Sequence, residues 1–171
     1  MKKRKAALII AGVLIILVAA IAWLAWLNRA GGELDANQIE IYVQGEAAAA
    51  LTLADLQTLP MMELDKEIVS SSGDNQAGLF RGVALVALLD AAAPGWQVDA
   101  TSVVCRASDN FTSGFDLDEV LTKGNIMVAY ALDGQLLPGQ EDGGKGPFRL
   151  VIRDDEFGNR STFWLCRIEV Q

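Results

Sequence analysis

The residues of this sequence best suited to chemistry are arginines in strand-like runs and a loop rich in hydroxyls. Arg149 stands in the alternating run 147–153, where Phe148, Leu150 and Ile152 face one way and Arg149 the other. A guanidinium presents paired donors that match a carboxylate or a phosphate. Arg149 is therefore a candidate anion ligand, with a structural ion pair to one of the many acids as the alternative. Arg160 is a second candidate of the same kind. Ser70, Ser71, Ser72, Gly73, Asp74 and Asn75 bring hydroxyls, an amide and backbone N–H groups around one glycine. Such a loop could cradle an anion or be an ordinary turn. Asp109, ahead of Asn110 and Phe111, could join a site or close a turn beside a buried aromatic. The run 142–146 (DGGKG) could cover a pocket mouth or be a plain loop. Asp154, Asp155 and Glu156, followed by Gly158 and Asn159, could hold calcium weakly, without the full spacing of a calcium loop.

Other chemistries are excluded by composition. The chain has no histidine, which removes imidazole-dependent nucleophilic mechanisms and His/Cys zinc sites. Its two cysteines, Cys105 and Cys166, lie in strand-like segments and lack the C-x-x-C spacing. Outside the cytoplasm they could form a disulfide or remain two buried thiols. Beyond Arg29 there are nine Lys and Arg against 22 Asp and Glu, a net charge near −13. Nucleic acid and anionic membrane surfaces call for basic faces, so neither is expected as a partner of this body.

The elements that must position these residues are short. The sequence predicts a strand at 39–43, a small-residue turn at 45–50, and a capping box of Thr52 and Asp55 opening a short helix that Pro60 ends. Strand character follows towards residue 70 and a helix over 83–92 that Pro94 and Gly95 stop. Further strands are expected at 101–107, 126–132, 147–153 and 161–170, with a short helix at 116–123 and a hairpin turn at Asp133 and Gly134. Short strands mixed with short helices indicate an α+β domain and not a parallel doubly wound sheet.

The first residues differ in kind. Lys2, Lys3, Arg4 and Lys5 form a basic tail over 1–5, and residues 6–27 carry no charge. As a helix that run would extend roughly 33 Å, enough to span a bilayer core. Trp23 and Trp26 stand at its far end, and the excess of cations before the span places the N-terminus in the cytoplasm. The expected organisation is a basic tail (1–5), a single-pass transmembrane anchor (6–27), a linker (28–38) and an extracytoplasmic domain (39–171) at the cell membrane. A cleaved signal peptide is the alternative; it would have a shorter apolar run and a small-x-small site, which 28–30 (NRA) does not provide.

Several segments, in order, carry a resemblance. They are 51–60 (LTLADLQTLP), 80–89 (FRGVALVALL), 108–111 (SDNF), 133–137 (DGQLL), 146–152 (GPFRLVI) and 159–170 (NRSTFWLCRIEV). The series resembles the oxidoreductase molybdopterin-binding domain family, the sulfite oxidase-like fold. The resemblance implies a mixed-sheet α+β body and a molybdopterin cofactor whose molybdenum is held by a cysteine thiolate just before the aromatic-x-Gly-Val segment. Here that stretch is 68–73 (IVSSSG). A serine hydroxyl stays protonated near neutral pH and does not supply the soft thiolate. The family's histidines near the pterin are absent, and Phe163 stands where the family has a phosphate-binding lysine; Arg149 and Arg160 remain. Family enzymes that act outside the cytoplasm carry a twin-arginine signal, whereas this chain begins with Lys-Lys-Arg-Lys.

Together these features lead to the expectation of a tethered relative that has no molybdenum site. It would bind a small anion or a partner protein through the old cofactor cleft, lined by Ser70, Ser71, Ser72, Asp74, Asn75, Asp109, Arg149 and Arg160. Two alternatives are a molybdopterin oxidoreductase with an atypical ligand set and a structural subunit of a membrane redox complex, docked through its N-terminal helix.

Overall fold

The computed structural model describes residues 14, 16–20, 23, 37–70, 73 and 75–171. The chain divides into two compact units, 1–34 and 35–171. In the first, Leu14, residues 16–20 and Trp23 are helical and exposed. Among the described residues no helix is long and apolar enough to cross a membrane. The expected span 6–27 lies mostly outside the described residues.

The second unit is built on two five-stranded sheets. The first contains β1 (Gln38–Val43), β2 (Glu46–Thr52), β5 (Ser102–Ala107), β6 (Thr112–Asp116) and β10 (Leu165–Val170), in the order β2-β1-β10-β5-β6. It is mixed, because β1 runs parallel to β10 while its other pairs are antiparallel. The second contains β3 (Met61–Ile68), β4 (Gln76–Ala84), β7 (Ile126–Leu132) and β8 (Gln135–Leu136), with β9 (Arg149–Ile152) also paired to β7. Three short helices, α1 (Leu53–Leu56), α2 (Leu85–Ala92) and α3 (Leu117–Leu121), complete an α+β body.

The main core lies between the sheets. Ile39, Ile41, Val103, Cys105 and Ile168 of the first meet Val83, Val128, Leu150 and Ile152 of the second, with Leu85, Leu88 and Leu89 of α2 alongside. A second apolar cluster of Ile68, Phe80, Met127, Ala129, Leu137 and Val151 covers the other face of the second sheet. β7 and β9 therefore bury both of their faces, and alternate side chains enter different cores. Phe148, Leu150 and Ile152 enter the main core, and Arg149 and Val151 turn to the other face.

Local structure follows the sequence in some places and departs from it in others. The capping box forms as expected: the Thr52 backbone N–H donates to Asp55 Oδ2 at 2.8 Å, and the Asp55 N–H donates to Thr52 Oγ1 at 3.4 Å. The expected turn at 45–50 is instead the edge strand β2. Alanine has little strand preference of its own, but pairing with β1 supplies the ladder. The helix expected from residue 83 begins only at Leu85, because residues 76–84 form β4 between β3 and β7. Gly82 explains the packing there, since a Cβ at that position would lie 2.1 Å from the Val128 carbonyl oxygen. The strand β6 was hidden by Gly114 and the polar residues around it.

Candidate functional site

A cleft of about 330 Å³ opens where several loops of the second unit converge. Its wall is formed by Ile68 at the end of β3 and Ser70 just beyond it, Gln76 at the start of β4, and Asp109 and Phe111 in the turn between β5 and β6. Lys145 and Arg149 come from the approach to β9 and its first residue. Gly158, Asn159, Ser161 and Phe163 come from the segment between β9 and β10.

Arg149 is wholly buried beneath this cleft. Its Nε donates to Ser161 Oγ at 3.1 Å, and Nη1 donates to Gln76 Oε1. The Ser161 hydroxyl in turn donates to the Leu150 carbonyl at 2.6 Å, which fixes its acceptor lone pair towards the guanidinium. The guanidinium carbon lies 4.4 Å from the Phe163 ring centroid and 5.5 Å from that of Phe80. Lys145 Nζ lies 5.1 Å from the same Phe163 ring. One aromatic ring thus gathers two cations that would otherwise repel each other, through the attraction of positive charge to its face. The backbone around Phe163 is anchored by Trp164, whose Nε1 donates to the Gly144 carbonyl at 2.8 Å.

The acid on the cleft wall serves the backbone. Asp109 Oδ1 accepts the Phe111 N–H at 2.9 Å, and the Phe111 carbonyl accepts the Ala107 N–H at 2.9 Å. This turn holds Phe111 outward with 45 % of its surface exposed. The expected buried aromatic at this position is instead an exposed part of the cleft wall.

Of the residues singled out by sequence, Ser70, Asp109 and Arg149 meet at the cleft. Ser71, Ser72 and Asp74 lie outside the described residues. Asn75 does not line the cleft: its Oδ1 accepts the Ser70 N–H at 3.0 Å, and the Gly73 N–H donates to the Ser70 carbonyl at 3.0 Å. Those two N–H groups are thus used inside the loop, as in an ordinary turn.

Arg160 is a correction, for it is not part of the cleft wall. Its guanidinium pairs with both oxygens of Glu119, at 2.7 and 2.8 Å, and with Asp155, while stacking on Phe115. The hydrogen bonds it donates to Glu119 and then to Asp155 raise its pKa further above its ordinary value. The acidic run considered for weak calcium binding is likewise used internally. The Asp155 carboxylate serves Arg160, and the backbone carbonyls of Arg153 and Asp155 accept from Lys66 Nζ.

Cys105 and Cys166 are free and buried, with no bridge between them. Cys105 enters the main core, whereas Cys166 sits at a register shift of β10 with Sγ 3.4 Å from the Arg106 carbonyl. Sequence reasoning missed Gln76 and Ser161 as parts of the wall. Lys145 lies in the run 142–146 considered as a cover for a pocket mouth, Asn159 was considered for calcium and not for this wall, and Phe163 was marked only as the residue standing where the resemblance expects lysine.

The family model for the oxidoreductase molybdopterin binding domain matches residues 30–171. The chain belongs to this family. No curated protein matches it. Among solved structures it is similar to the crystal structure of the sulfane dehydrogenase SoxCD from Paracoccus pantotrophus, with a TM-score of 0.66 and 18% identity over 81% of this chain. At that identity the likeness speaks for the fold. The match covers 39% of the SoxCD chain.

The family's cofactor can be tested against the donors present. Lys145, Arg149 and the hydroxyl of Ser70 suit an anionic group. The metal is a poorer fit, because neither cysteine reaches the cleft wall and the residue there after β3 is Ser70. Among the described residues no group of three or more Cys, Asp or Glu could hold a metal ion. A thiolate-held molybdenum therefore does not fit this donor set.

Proposed function

We propose that this chain is a membrane-tethered, extracytoplasmic binding module of the molybdopterin-binding fold, using the cleft for a small anion or for an anionic group of a partner in a redox or envelope system. On this proposal the molybdenum site has been lost and the scaffold retained, in keeping with function residing in the site and not the fold. The observation that carries it is the pairing of Arg149 and Lys145 on one aromatic ring beside the cleft, with hydroxyl and amide donors around them. A buried cation costs desolvation, and an arriving anion offsets part of that cost. Membrane attachment is supported by the uncharged run 6–27 and the cations ahead of it.

A second reading, a molybdopterin-dependent oxidoreductase with an atypical ligand set, is favoured by the family match over 30–171. Metal analysis separates the two. Protein isolated from its own membrane is expected to contain neither molybdenum nor a fluorescent pterin. Molybdenum and pterin at about one per chain would overturn the binding-module proposal.

A further inference from the structure

We infer that the ligand of the cleft is an organic anion with a flat apolar body, not a bare inorganic oxoanion. This rests on the anion-binding proposal and narrows it. Size is the first argument. A tetrahedral oxoanion displaces about as much as two waters, roughly 60 Å³ at ~30 Å³ each. The cleft offers about 330 Å³, in the range of sites for organic ligands.

The distribution of chemistry around the wall is the second argument. Arg149, Lys145 and Phe163 form one cationic corner. Ile68 and Phe111 supply apolar wall elsewhere. An inorganic anion would satisfy the cations and leave that apolar surface wet. An anion carrying an aromatic or otherwise flat body could satisfy both.

Phe111 is the third argument, because its exposure is built in. Asn110 adopts a left-handed backbone, with φ at 70°, and the bonds from the Phe111 N–H to Asp109 and from the Ala107 N–H to the Phe111 carbonyl lock the turn. The ring therefore stays in water at the cleft wall without a ligand, which is unfavourable for apolar surface. A rigid aromatic of this kind provides contact area at little entropic cost on binding. The same turn occupies one oxygen of the Asp109 carboxylate, the acid nearest to hand for opposing an incoming anion.

The test uses matched anions on the full chain in lipid nanodiscs, with empty nanodiscs subtracted. Benzenesulfonate and methanesulfonate share a head group and differ in the body, so calorimetric titration isolates the contribution of the ring. Benzenesulfonate is expected to bind at least about tenfold more tightly, from burial of part of the Phe111 face. Phe111→Ala should abolish that preference, while Lys145→Ala should weaken both. Phe111 is exposed enough for its replacement to leave the fold intact. Equal affinity for the two anions, with both weakened by Lys145→Ala, would overturn the organic ligand and leave the anion cleft standing. Binding that ignores both substitutions would place the probe elsewhere and overturn the inference. Absence of binding by either anion would overturn the cleft itself.

Discussion

Replacing Ser161 with alanine probes the support beneath Arg149. The hydroxyl accepts one bond from a charged donor, Arg149 Nε at 3.1 Å, and gives one to the Leu150 carbonyl at 2.6 Å. A bond to a charged group contributes about 1.5–3 kcal/mol and a neutral one about 0.5–1.5 kcal/mol. Arg149 keeps Gln76 and the rings of Phe163 and Phe80, so part of the loss is recovered. The expected destabilisation is about 2–3 kcal/mol. For a unit spanning residues 35–171 this corresponds to a fall in melting temperature of about 7–10 °C. Urea unfolding followed by tryptophan fluorescence should show a lower midpoint with an unchanged slope.

Ser113→Ala is the internal comparison. Ser113 is equally buried and bonds Thr162 Oγ1 at 2.7 Å and the Arg160 carbonyl at 3.0 Å, without a charged partner. It should cost about 1 kcal/mol less than Ser161→Ala. If the two variants were equally stable, or if Ser161→Ala shifted the melting point by less than about 2 °C, the hydroxyl would not be supporting the guanidinium and the reasoning would fail.

Other predictions concern the residues placed away from the cleft. Arg160→Gln should cost about 1–2 kcal/mol, discounted because the side chain is partly exposed, and should leave anion affinity unchanged. Its folded pKa is raised, so its contribution is complete below the ordinary arginine value; the stability difference from wild type should stay flat over roughly pH 6 to 10. A loss of anion affinity in this variant would return Arg160 to the site. The thiols should resist an aromatic disulfide reagent at neutral pH, because burial pushes Cys166 up to about 11 and Cys105 higher still. Both should react after denaturation without reductant, and failure of both to react would reveal a bridge. Gly82→Ala should destabilise the unit by at least about 3 kcal/mol, because the new methyl meets a backbone oxygen of β7 and not a movable side chain. Near-normal melting of that variant would show that β4 and β7 can separate more easily than their packing indicates.

Some of this was legible because it depends on neighbours in the chain. The capping box needs only Thr52 and Asp55 three residues apart, and it formed as expected. Alternation in 147–153 was enough to turn Arg149 away from Phe148 and Leu150. It could not say that the face receiving Arg149 would be a second buried layer holding Phe80, with the half-buried Phe163 ring against the guanidinium. The strand β2 was missed because four alanines declare no strand preference, and its identity comes from β1 beside it.

The division between sequence and tertiary structure is clearest at two adjacent residues. Sequence alone determined the acidic body, the absence of imidazole and the family's ordered motifs, all of which are matters of residue type and order. It also marked Arg160 for the cleft and passed over Ser161. The structure reversed both, since Arg160 pairs with Glu119 and Asp155 while Ser161 turns inward to Arg149. Arg160 ends a short 3-10 turn, Gly158–Arg160, and Ser161 follows it, and their directions depend on partners up to 41 residues away. Residue type determines which bonds a side chain can make. Only the folded chain decides which partner is within reach, because that distance is set by how the sheets and loops pack.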